Sequence, residues 1–324
     1  SPRVLLLGFF MGFDMTLIEH LALELKKSED EVAHFLQSAP KRYKVYTIPK
    51  RTSGHRVIAQ PSKELKEYQR KFLEIQQFPI HSSAVAYRKG MSIKQNAIAH
   101  KNNSYLLKLD LENFFNSISD KMFWEVWESI LPLPSNQDKQ TLENLLFWCP
   151  SKKTGGALVL SIGAPSSPLV SNFFMYQFDC ALSKLCIEKE IVYTRYADDL
   201  TFSTKHKDSL FVVPELVKEK LAELFGGAIR INRKKTRFSS RAHNRHVTGI
   251  TITNDGALSL GRERKRYIKH LVHQVQLNKL DTEDRQHLRG LISFAKHVEP
   301  MFVQSLKRKY TSELITQIIE ESNG

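Results

Sequence analysis

The chain of 324 residues has few cysteines and no long hydrophobic run. Its three cysteines, Cys149, Cys180 and Cys186, form no CxxC pair. This spacing gives no disulfide framework and indicates a reducing compartment, the cytoplasm. The apolar run at residues 4–13 is too short to span a bilayer and lacks a strongly basic leader and a small-residue cleavage site. We therefore expect buried helix or strand there, with no membrane partner.

Acidic residues are also scarce relative to basic ones. Lys and Arg number 48 and Asp and Glu 34, a formal net charge of +14. Such a surplus favours a polyanionic partner, either nucleic acid or an anionic membrane surface. Residues 230–270 hold twelve Lys or Arg and only two acids, Asp255 and Glu263. This stretch indicates a footprint on a phosphate backbone, and a merely solvated basic face is the alternative.

Hydrophobic periodicity predicts a mixed order of elements. Helices are expected within residues 14–39, with a capping box at Ser28 and Glu31, and at residues 62–76, 120–148, 166–182 and 214–225. A strand is expected at 104–111 and hairpins at 43–60, 191–204 and 246–260, the first turning at 52–54 and the last around 254–256. The remainder is helical, interrupted at Gly290. This order predicts an α+β fold rather than a doubly wound sheet.

Two adjacent carboxylates, Asp198 and Asp199, stand at the tip of an apolar hairpin. They repel each other, and a bound divalent cation would remove that penalty. Alone, such a pair is usually a solvated turn. Asp110 changes the interpretation, since it ends an apolar strand on the face that also carries Lys108. If that strand lies beside the hairpin, the carboxylates can hold two metals about 3.5–4 Å apart, which activate a primer 3′-OH and neutralise a triphosphate.

Four segments, LKLDLENFF, GAPSSP, YTRYADDLTF and INRKKT, occur in the order of the palm motifs of reverse transcriptases, which this chain resembles over residues 43–310. The resemblance implies a right-hand polymerase with fingers, a palm built on an antiparallel sheet and a small helical thumb. It assigns Asp110, Asp198 and Asp199 as catalytic metal ligands, with the backbone of Leu111 as a further ligand. The implied cofactor is two Mg²⁺ ions, with Mn²⁺ as a substitute.

Within that family, the NAxxH element at residues 96–100 and the VTG element at residues 247–249 resemble bacterial retron enzymes. That resemblance implies a structured non-coding RNA as template and primer, priming from an RNA 2′-OH, an RNA-linked DNA product (msDNA), and a role in anti-phage defence with an effector protein encoded nearby. The alternatives are another bacterial reverse transcriptase, of group II intron or abortive-infection type, and an RNA-binding scaffold that sequesters an effector.

The family's roles also fall on other matched positions. Phe115, five residues after Asp110, would be a steric gate against a ribose 2′-OH, or else an ordinary core aromatic. The remaining residues expected to bind the incoming nucleotide are Arg56, Gly163, Ala164 and Lys235, with Lys50, Arg51 and Lys234 as assistants or rivals. Two departures stand out: Ile162 replaces the usual Gln, and Ala86–Tyr87 stands where Gly-Phe is common.

Nucleic-acid contacts are expected from two further groups of residues. The expected RNA or DNA contacts are Asn96, His100, Val247, Thr248, Gly249, Arg262, Arg266 and Lys269. His100 has no Cys or carboxylate at metal-ligand spacing, so a structural or an RNA-contacting role is expected for it. The three basic residues lie on a helix whose other face, Ile268, Leu271 and Val275, is apolar.

The resemblance divides the chain as follows: an N-terminal helical segment (1–40), fingers (41–105), the first part of the palm (106–120), fingers and palm helices (121–160), palm with the YADD hairpin (161–245), a primer-grip-like hairpin (246–260) and a helical thumb (261–324).

Overall fold

The structure, a computed structural model, describes residues 15–50 and 54–320. The apolar run at residues 4–13, and residues 51–53 with Arg51 and most of the first expected turn, lie outside the described residues. Within those ranges the chain combines α-helices with antiparallel sheets, as the α+β prediction required. No helix in the described part is long and apolar enough to cross a membrane.

The first half of the chain builds a helical layer and a projecting hairpin. Its elements are α1 (Leu17–Leu25), α2 (Glu29–Ser38), β1 (Tyr43–Pro49), β2 (His55–Pro61), α3 (Lys63–Ile75), α4 (Ile93–His100), β3 (Tyr105–Asp110), α5 (Phe114–Ser117), α6 (Asp120–Ile130) and α7 (Asn136–Leu146). Ser28 and Glu31 form the expected capping box of α2, which satisfies backbone N–H groups that a helix start leaves unpaired.

The second half completes the central sheet and ends in helices. Its elements are α8 (Ser167–Phe174), α9 (Tyr176–Glu188), β4 (Val192–Tyr196), β5 (Asp199–Thr204), α10 (Val213–Phe225), β6 (Arg237–Ser240), β7 (Arg245–Val247), β8 (Ile250–Ile252), β9 (Leu258–Ser259), α11 (Arg262–Gln276), α12 (Thr282–Val298), α13 (Pro300–Tyr310) and α14 (Ser312–Glu320). Gly226 closes α10 in the left-handed conformation, with φ 57°.

The central sheet has four antiparallel strands in the order β4-β5-β3-β6. Because side chains alternate across a strand, β3 carries Leu107 and Leu109 on one face and Lys108 and Asp110 on the other. The first face joins a core with α1–α3 and α5–α10. Leu106, on the second face, joins a separate core with α4, β7–β9 and α11–α14. The sheet thus divides two hydrophobic cores.

Three expectations about element bounds were wrong. The helix expected at residues 166–182 is two helices separated at Met175, an arrangement that buries both Phe173, against Phe78, and Phe174, against Phe225. Gly290 does not interrupt α12, because the neighbouring Leu288 and Ile292 are fully buried and their packing outweighs the roughly 1 kcal/mol cost of a helical glycine.

The expected hairpin at residues 246–260 is a three-stranded sheet, β7-β8-β9, with two turns. Thr248 (φ 45°) and Gly249 (φ 82°) form a tight two-residue turn between β7 and β8, where positive φ at both positions suits the twist of the strands. The expected Asn-Asp-Gly turn connects β8 to β9, with Gly256 at φ 85°. Residues 254–256 carry the stronger turn signal, so the sequence analysis predicted that turn and missed the one at Thr248 and Gly249.

Candidate active site

The carboxylates lie in one row across the sheet. Asp110 is the cross-strand partner of Asp199, which in turn faces Tyr196. Ala197, with φ 57°, forms the tip that connects β4 to β5 and places Asp198 beside this row. The backbone N–H of Leu111 donates to the carbonyl of Asp198 at 3.0 Å, so β3 and the tip are joined directly. The sequence prediction that Asp110 lies next to the hairpin is confirmed by this register.

Asp110 forms an ion pair with Lys235, which residue spacing in the sequence did not predict. The Nζ atom of Lys235 lies 2.9 Å from Oδ1 and 2.7 Å from Oδ2 of Asp110. Asn232 holds the segment in place, since its backbone N–H donates to the Asp110 carbonyl at 2.7 Å. Lys235 therefore lies at the carboxylate row itself, where it screens negative charge.

The negative charges of the other two carboxyl groups are only partly compensated by nearby lysines. Burial raises the pKa of Asp198 to about 6, and the negative charges of Asp199 and Asp110 add to that rise. Burial likewise raises the pKa of Asp199, while Lys108 and Lys235 oppose the rise. Such mutual repulsion among oxygen donors is the condition that a hard divalent cation relieves.

The three carboxylates are suitable ligands for a divalent metal ion, although in this conformation they do not form a complete set of ligands around one point. Among residues 15–50 and 54–320, no three side chains of His, Cys, Asp or Glu already converge as ligands. Asp110 is bound to Lys235 instead. Asp110, Asp198 and Asp199 are nevertheless neighbours at one end of the sheet, and carboxylate oxygens are the ligands that Mg²⁺ prefers. Metal binding would therefore require Lys235 to release Asp110.

A fully buried ion pair supports the tip from the opposite face of the sheet. The Nη2 atom of Arg195 on β4 lies 2.6 Å from Oδ2 of Asp179 on α9, and both side chains are inaccessible to solvent. Tyr193 also donates to Asp179, at 2.7 Å. Arg195 uses a further N–H to bind the carbonyl of Ala197, at 3.2 Å. The pair thus anchors the turn that carries Asp198 and leads into Asp199.

The same arginine supports Tyr87, a site residue that the sequence analysis noticed only as a departure from the family pattern. Arg195 donates to Oδ1 of Asn172, and Asn172 donates to the carbonyl of Ala86. Tyr87 is half exposed and has φ 62°, a rare conformation for a bulky residue. Burial raises its pKa, which Asp198 raises further and Arg56 lowers, so both Asp198 and Arg56 are close enough to Tyr87 to act on its charge.

The residues expected to bind the nucleotide are brought together only in part. Arg56 is exposed on β2, on the side of Tyr87 and Asp198. Phe115, in α5, is partly buried against the first core, with its ring centroid 5.4 Å from that of Phe114. Phe115 thus makes the core contact that was the alternative interpretation. Its position five residues after Asp110 is the one that the steric-gate prediction requires.

The loop of Gly163 and Ala164 packs against β2. Ile162 accepts a hydrogen bond from the backbone N–H of Ala59 at 3.1 Å. Gly163 has φ 121°, and a Cβ atom there would lie 3.3 Å from the Ala59 carbonyl. Ala164 is buried. The glycine is thus explained by close approach to β2, and contact with a nucleotide remains a prediction.

Asn96 and His100 lie inside the protein with fully buried side chains. The Nδ1 and Nε2 atoms of His100 lie 2.7 Å from Ser203 and from Thr194, so they bridge the two strands that form the hairpin. Thr194 donates to Asn96 at 2.6 Å. In this conformation both side chains contact protein, which favours the structural role left open for His100.

The VTG element contacts the same helix. Val247 is fully buried, and the Thr248 hydroxyl donates to the carbonyl of Ile93 at 3.3 Å, with Asn96 Nδ2 3.4 Å away. The NAxxH and VTG elements therefore pack together and tie the central sheet to the three-stranded one. Gly249, at the exposed turn, completes the element.

The basic stretch at residues 230–270 is only partly available to a ligand. Arg262, Arg266 and Lys269 are exposed on α11, and Ile268, Leu271 and Val275 are buried on its other face, as expected. Arg245, however, is fully buried and donates to the carbonyls of Asn103 and Thr253. Lys265 is paired with Glu299. The number of basic residues in this stretch therefore overestimates the positively charged surface that is available to nucleic acid.

Comparison with known proteins shows which family the chain matches. The model of the reverse transcriptase (RNA-dependent DNA polymerase) family matches residues 48–252. The chain is 48% identical over 303 residues to the retron Ec83 reverse transcriptase of Escherichia coli, covering 93% of this chain and 97% of that one. It is 31% identical over 310 residues to the retron Ec73 reverse transcriptase of Escherichia coli, covering 92% and 95%.

The chain therefore belongs to the reverse transcriptase family and is an RNA-directed DNA polymerase. Its place within that family is among the retron reverse transcriptases, which include a relative from Myxococcus xanthus, retron Mx65, 30% identical over 309 residues. The family generally uses divalent metal ions. The expected family and fold class are confirmed.

Proposed function

We propose that this enzyme copies a dedicated structured non-coding RNA into single-stranded DNA with two Mg²⁺ ions. The observation that carries the proposal is the row in which Asp110 faces Asp199, with Asp198 at the adjoining tip. Folding gains little from three neighbouring carboxylates, since the charges of Asp199 and Asp110 add to the raised pKa of Asp198, and a cation-dependent reaction gives them a use.

Each part of the chain would contribute to that reaction. Asp110, Asp198 and Asp199 would hold the metal ions, which when bound activate the attacking hydroxyl and neutralise the triphosphate. Lys235, freed from Asp110, would screen or protonate the leaving pyrophosphate. Arg56 suits the triphosphate because a guanidinium offers two parallel hydrogen bonds to phosphate oxygens. Phe115 would exclude a ribose 2′-OH.

The polymerase subdomains follow from this assignment. We assign β1–β2 and the helices that flank it to fingers, the four-stranded sheet to palm, and α11–α14 to thumb. The three-stranded sheet β7-β8-β9, with the exposed Thr248–Gly249 turn between its first two strands, would be the primer-grip-like element. Arg262, Arg266 and Lys269 would contact the phosphates of the copied duplex.

The finer biology rests on the likeness to retron enzymes. A retron enzyme would prime from a 2′-OH of its own RNA and leave DNA covalently joined to RNA. A role in anti-phage defence, together with an effector protein encoded nearby, belongs to the same proposal.

The test is the structure of the product. The purified protein with its co-purifying RNA is incubated with Mg²⁺ and labelled dNTPs, and the labelled product is then treated with ribonuclease. We expect labelled DNA that retains a ribonucleotide through a 2′–5′ bond. DNA with a free 5′ end, or with a 3′–5′ junction to RNA, would contradict the retron assignment and favour another bacterial reverse transcriptase. No DNA from any primed template would favour the RNA-binding scaffold.

A further inference from the structure

Next to the carboxylate row lies a row that carries two cations. Across the four strands it consists of Thr194, Thr201, Lys108 and Arg237. Lys108 precedes Asp110 by two residues, so its side chain leaves the same face of the sheet, about 7 Å away at a rise of about 3.4 Å per residue. The basic pair is thus fixed by the register of the active-site strand.

The two cations are directly opposed. Residues paired across an antiparallel ladder have Cβ atoms about 4.5–5.5 Å apart, and like charges placed so are destabilising. Within residues 15–50 and 54–320, Lys108 makes no hydrogen bond or ion pair, and Arg237 donates only to the carbonyl of its neighbour Thr236. The positive charge of Lys108 opposes the rise that burial causes in the pKa of Asp199, but Asp199 belongs to the carboxylate row. The pair therefore lacks a counter-ion of its own.

A third basic group approaches from the three-stranded sheet. Partial burial lowers the pKa of His246 on β7, and the positive charge of Lys108 lowers it further, so the two groups lie near each other. Glu263 on α11 acts on His246 in the opposite direction. The next row, with Leu106 and Ser203, is covered by α4 and the second core. Thr194 and Thr201 of the cation row are buried as well. The part of the row that solvent reaches is therefore the half that carries Lys108 and Arg237.

We propose that Lys108 and Arg237, with His246 nearby, bind a phosphodiester group of the primer strand close to its 3′ end. The inference rests on the proposed polymerase function. The groups assigned to the incoming nucleotide lie at or beyond the Asp110 end of β3, Lys235 on Asp110 itself and Phe115 in α5, whereas Lys108 and Arg237 form the row on the other side of Asp110 along β3. A primer whose 3′ end reaches Asp110 from the other side lays its nearest phosphates over the cation row, and such a phosphate supplies the missing counter-charge.

The experiment measures binding without catalysis. A DNA primer annealed to an RNA template is titrated by fluorescence anisotropy at several salt concentrations, without divalent ions. We expect Lys108→Met and Arg237→Gln each to weaken binding by about 3-fold to 10-fold and to lower the slope of log K against log salt by about 0.9. Lys108→Arg should restore both. Lys184→Met, a matched loss of charge at an exposed site on α9, should change neither.

A neutral linkage then locates the phosphate. Methylphosphonate groups are placed one at a time along the primer. Wild-type binding should weaken for linkages next to the 3′ end, and Lys108→Met should remove the sensitivity at those linkages while leaving any effect of more distant linkages unchanged. Unchanged sensitivity in the variant, or binding by both variants equal to that of Lys184→Met, overturns the inference. A higher nucleotide KM with unchanged primer binding would make Lys108 a counter-ion of Asp199 only, and would overturn it too. Nucleotide addition by the wild type on the same duplex tests the proposed function separately.

Discussion

The ammonium group of Lys235 lies 2.7 Å from Oδ2 and 2.9 Å from Oδ1 of Asp110, the carboxylate at the end of the central β3 strand. One lysine thus contacts both oxygens of a proposed metal ligand. The rest of the Lys235 side chain is exposed. Moving it away from Asp110 would therefore break this ion pair but would uncover little buried surface. The relationship makes Lys235 both a competitor for metal and, once displaced, a cation available to the leaving group.

Lys235→Met should therefore strengthen metal binding while slowing turnover. Without the competing ammonium group, we expect Mn²⁺ to bind about 3-fold to 10-fold more tightly in the absence of nucleotide, as measured by electron paramagnetic resonance. Single-nucleotide addition should slow, because the leaving pyrophosphate loses its cation. The neighbouring exposed Lys234→Met is the matched control. If Lys234→Met slows addition more than Lys235→Met does, the roles are reversed.

The buried pair of Arg195 and Asp179 should matter for stability and for the tip. Removing one partner, as in Asp179→Asn or Arg195→Met, leaves a buried charge uncompensated, so urea unfolding should show a loss of about 3–5 kcal/mol. Asp179→Leu/Arg195→Met should recover much of that stability, since neither charge remains. It should still add nucleotides slowly, because the Ala197 carbonyl has lost its donor. A double variant with wild-type activity would show that the pair does not hold the tip.

His100 should make stability fall at acid pH. Burial lowers its pKa from 6.5 to about 3 in the folded protein. The unfolded chain therefore binds a proton between those values that the folded one does not, and stability is lost as the pH falls from 6.5 toward 3. The largest slope is about 1.4 kcal/mol per pH unit.

His100→Gln should flatten that dependence while lowering stability at pH 7, since Gln replaces only part of the bridge between Ser203 and Thr194. Urea midpoints at pH 7, 6 and 5 measure both effects. Loss of an exposed histidine, in His34→Gln, serves for comparison. An equal pH dependence in wild type and His100→Gln would mean that His100 is not held neutral.

Phe115→Ala should relax the selection of deoxynucleotides. Removing the ring makes room for a 2′-OH, and we expect the preference for dNTP over rNTP to fall on the order of 10-fold to 100-fold in kcat/KM. Phe211→Ala, at an exposed aromatic residue after β5, provides the control. Unchanged discrimination would leave Phe115 as a core residue beside Phe114.

The sequence predicted the part of the site that alternation and motif order determine. Apolar alternation placed Asp110 and Lys108 on one face of β3, and the hairpin pattern placed Asp198 and Asp199 at a tip. The pairs of Asp110 with Lys235 and of Arg195 with Asp179 join residues far apart in the chain, so no local pattern contains them. Asp179 did leave a signal, an acid beside Phe178 on the apolar helix.

Burial was the other property that the sequence did not determine. Asn96 and His100 look like polar surface residues in a motif, yet tertiary packing encloses them between α4 and the sheet. Arg245 likewise counted toward a basic surface and is instead buried among backbone carbonyls. Charge and motif identify residues that matter, whereas contact with nucleic acid or with protein depends on how distant segments pack.

The central claim is that Asp110, Asp198 and Asp199 form one metal-dependent polymerase site. The most direct measurement is nucleotide addition to a DNA primer on an RNA template with Mg²⁺, comparing wild type with Asp198→Asn and Asp199→Asn. The exposed Asp208→Asn is the matched control. We predict a loss of about 100-fold or more for the two site variants, with folding intact by circular dichroism and wild-type rates for the control. Addition at the wild-type rate by either site variant would contradict the account.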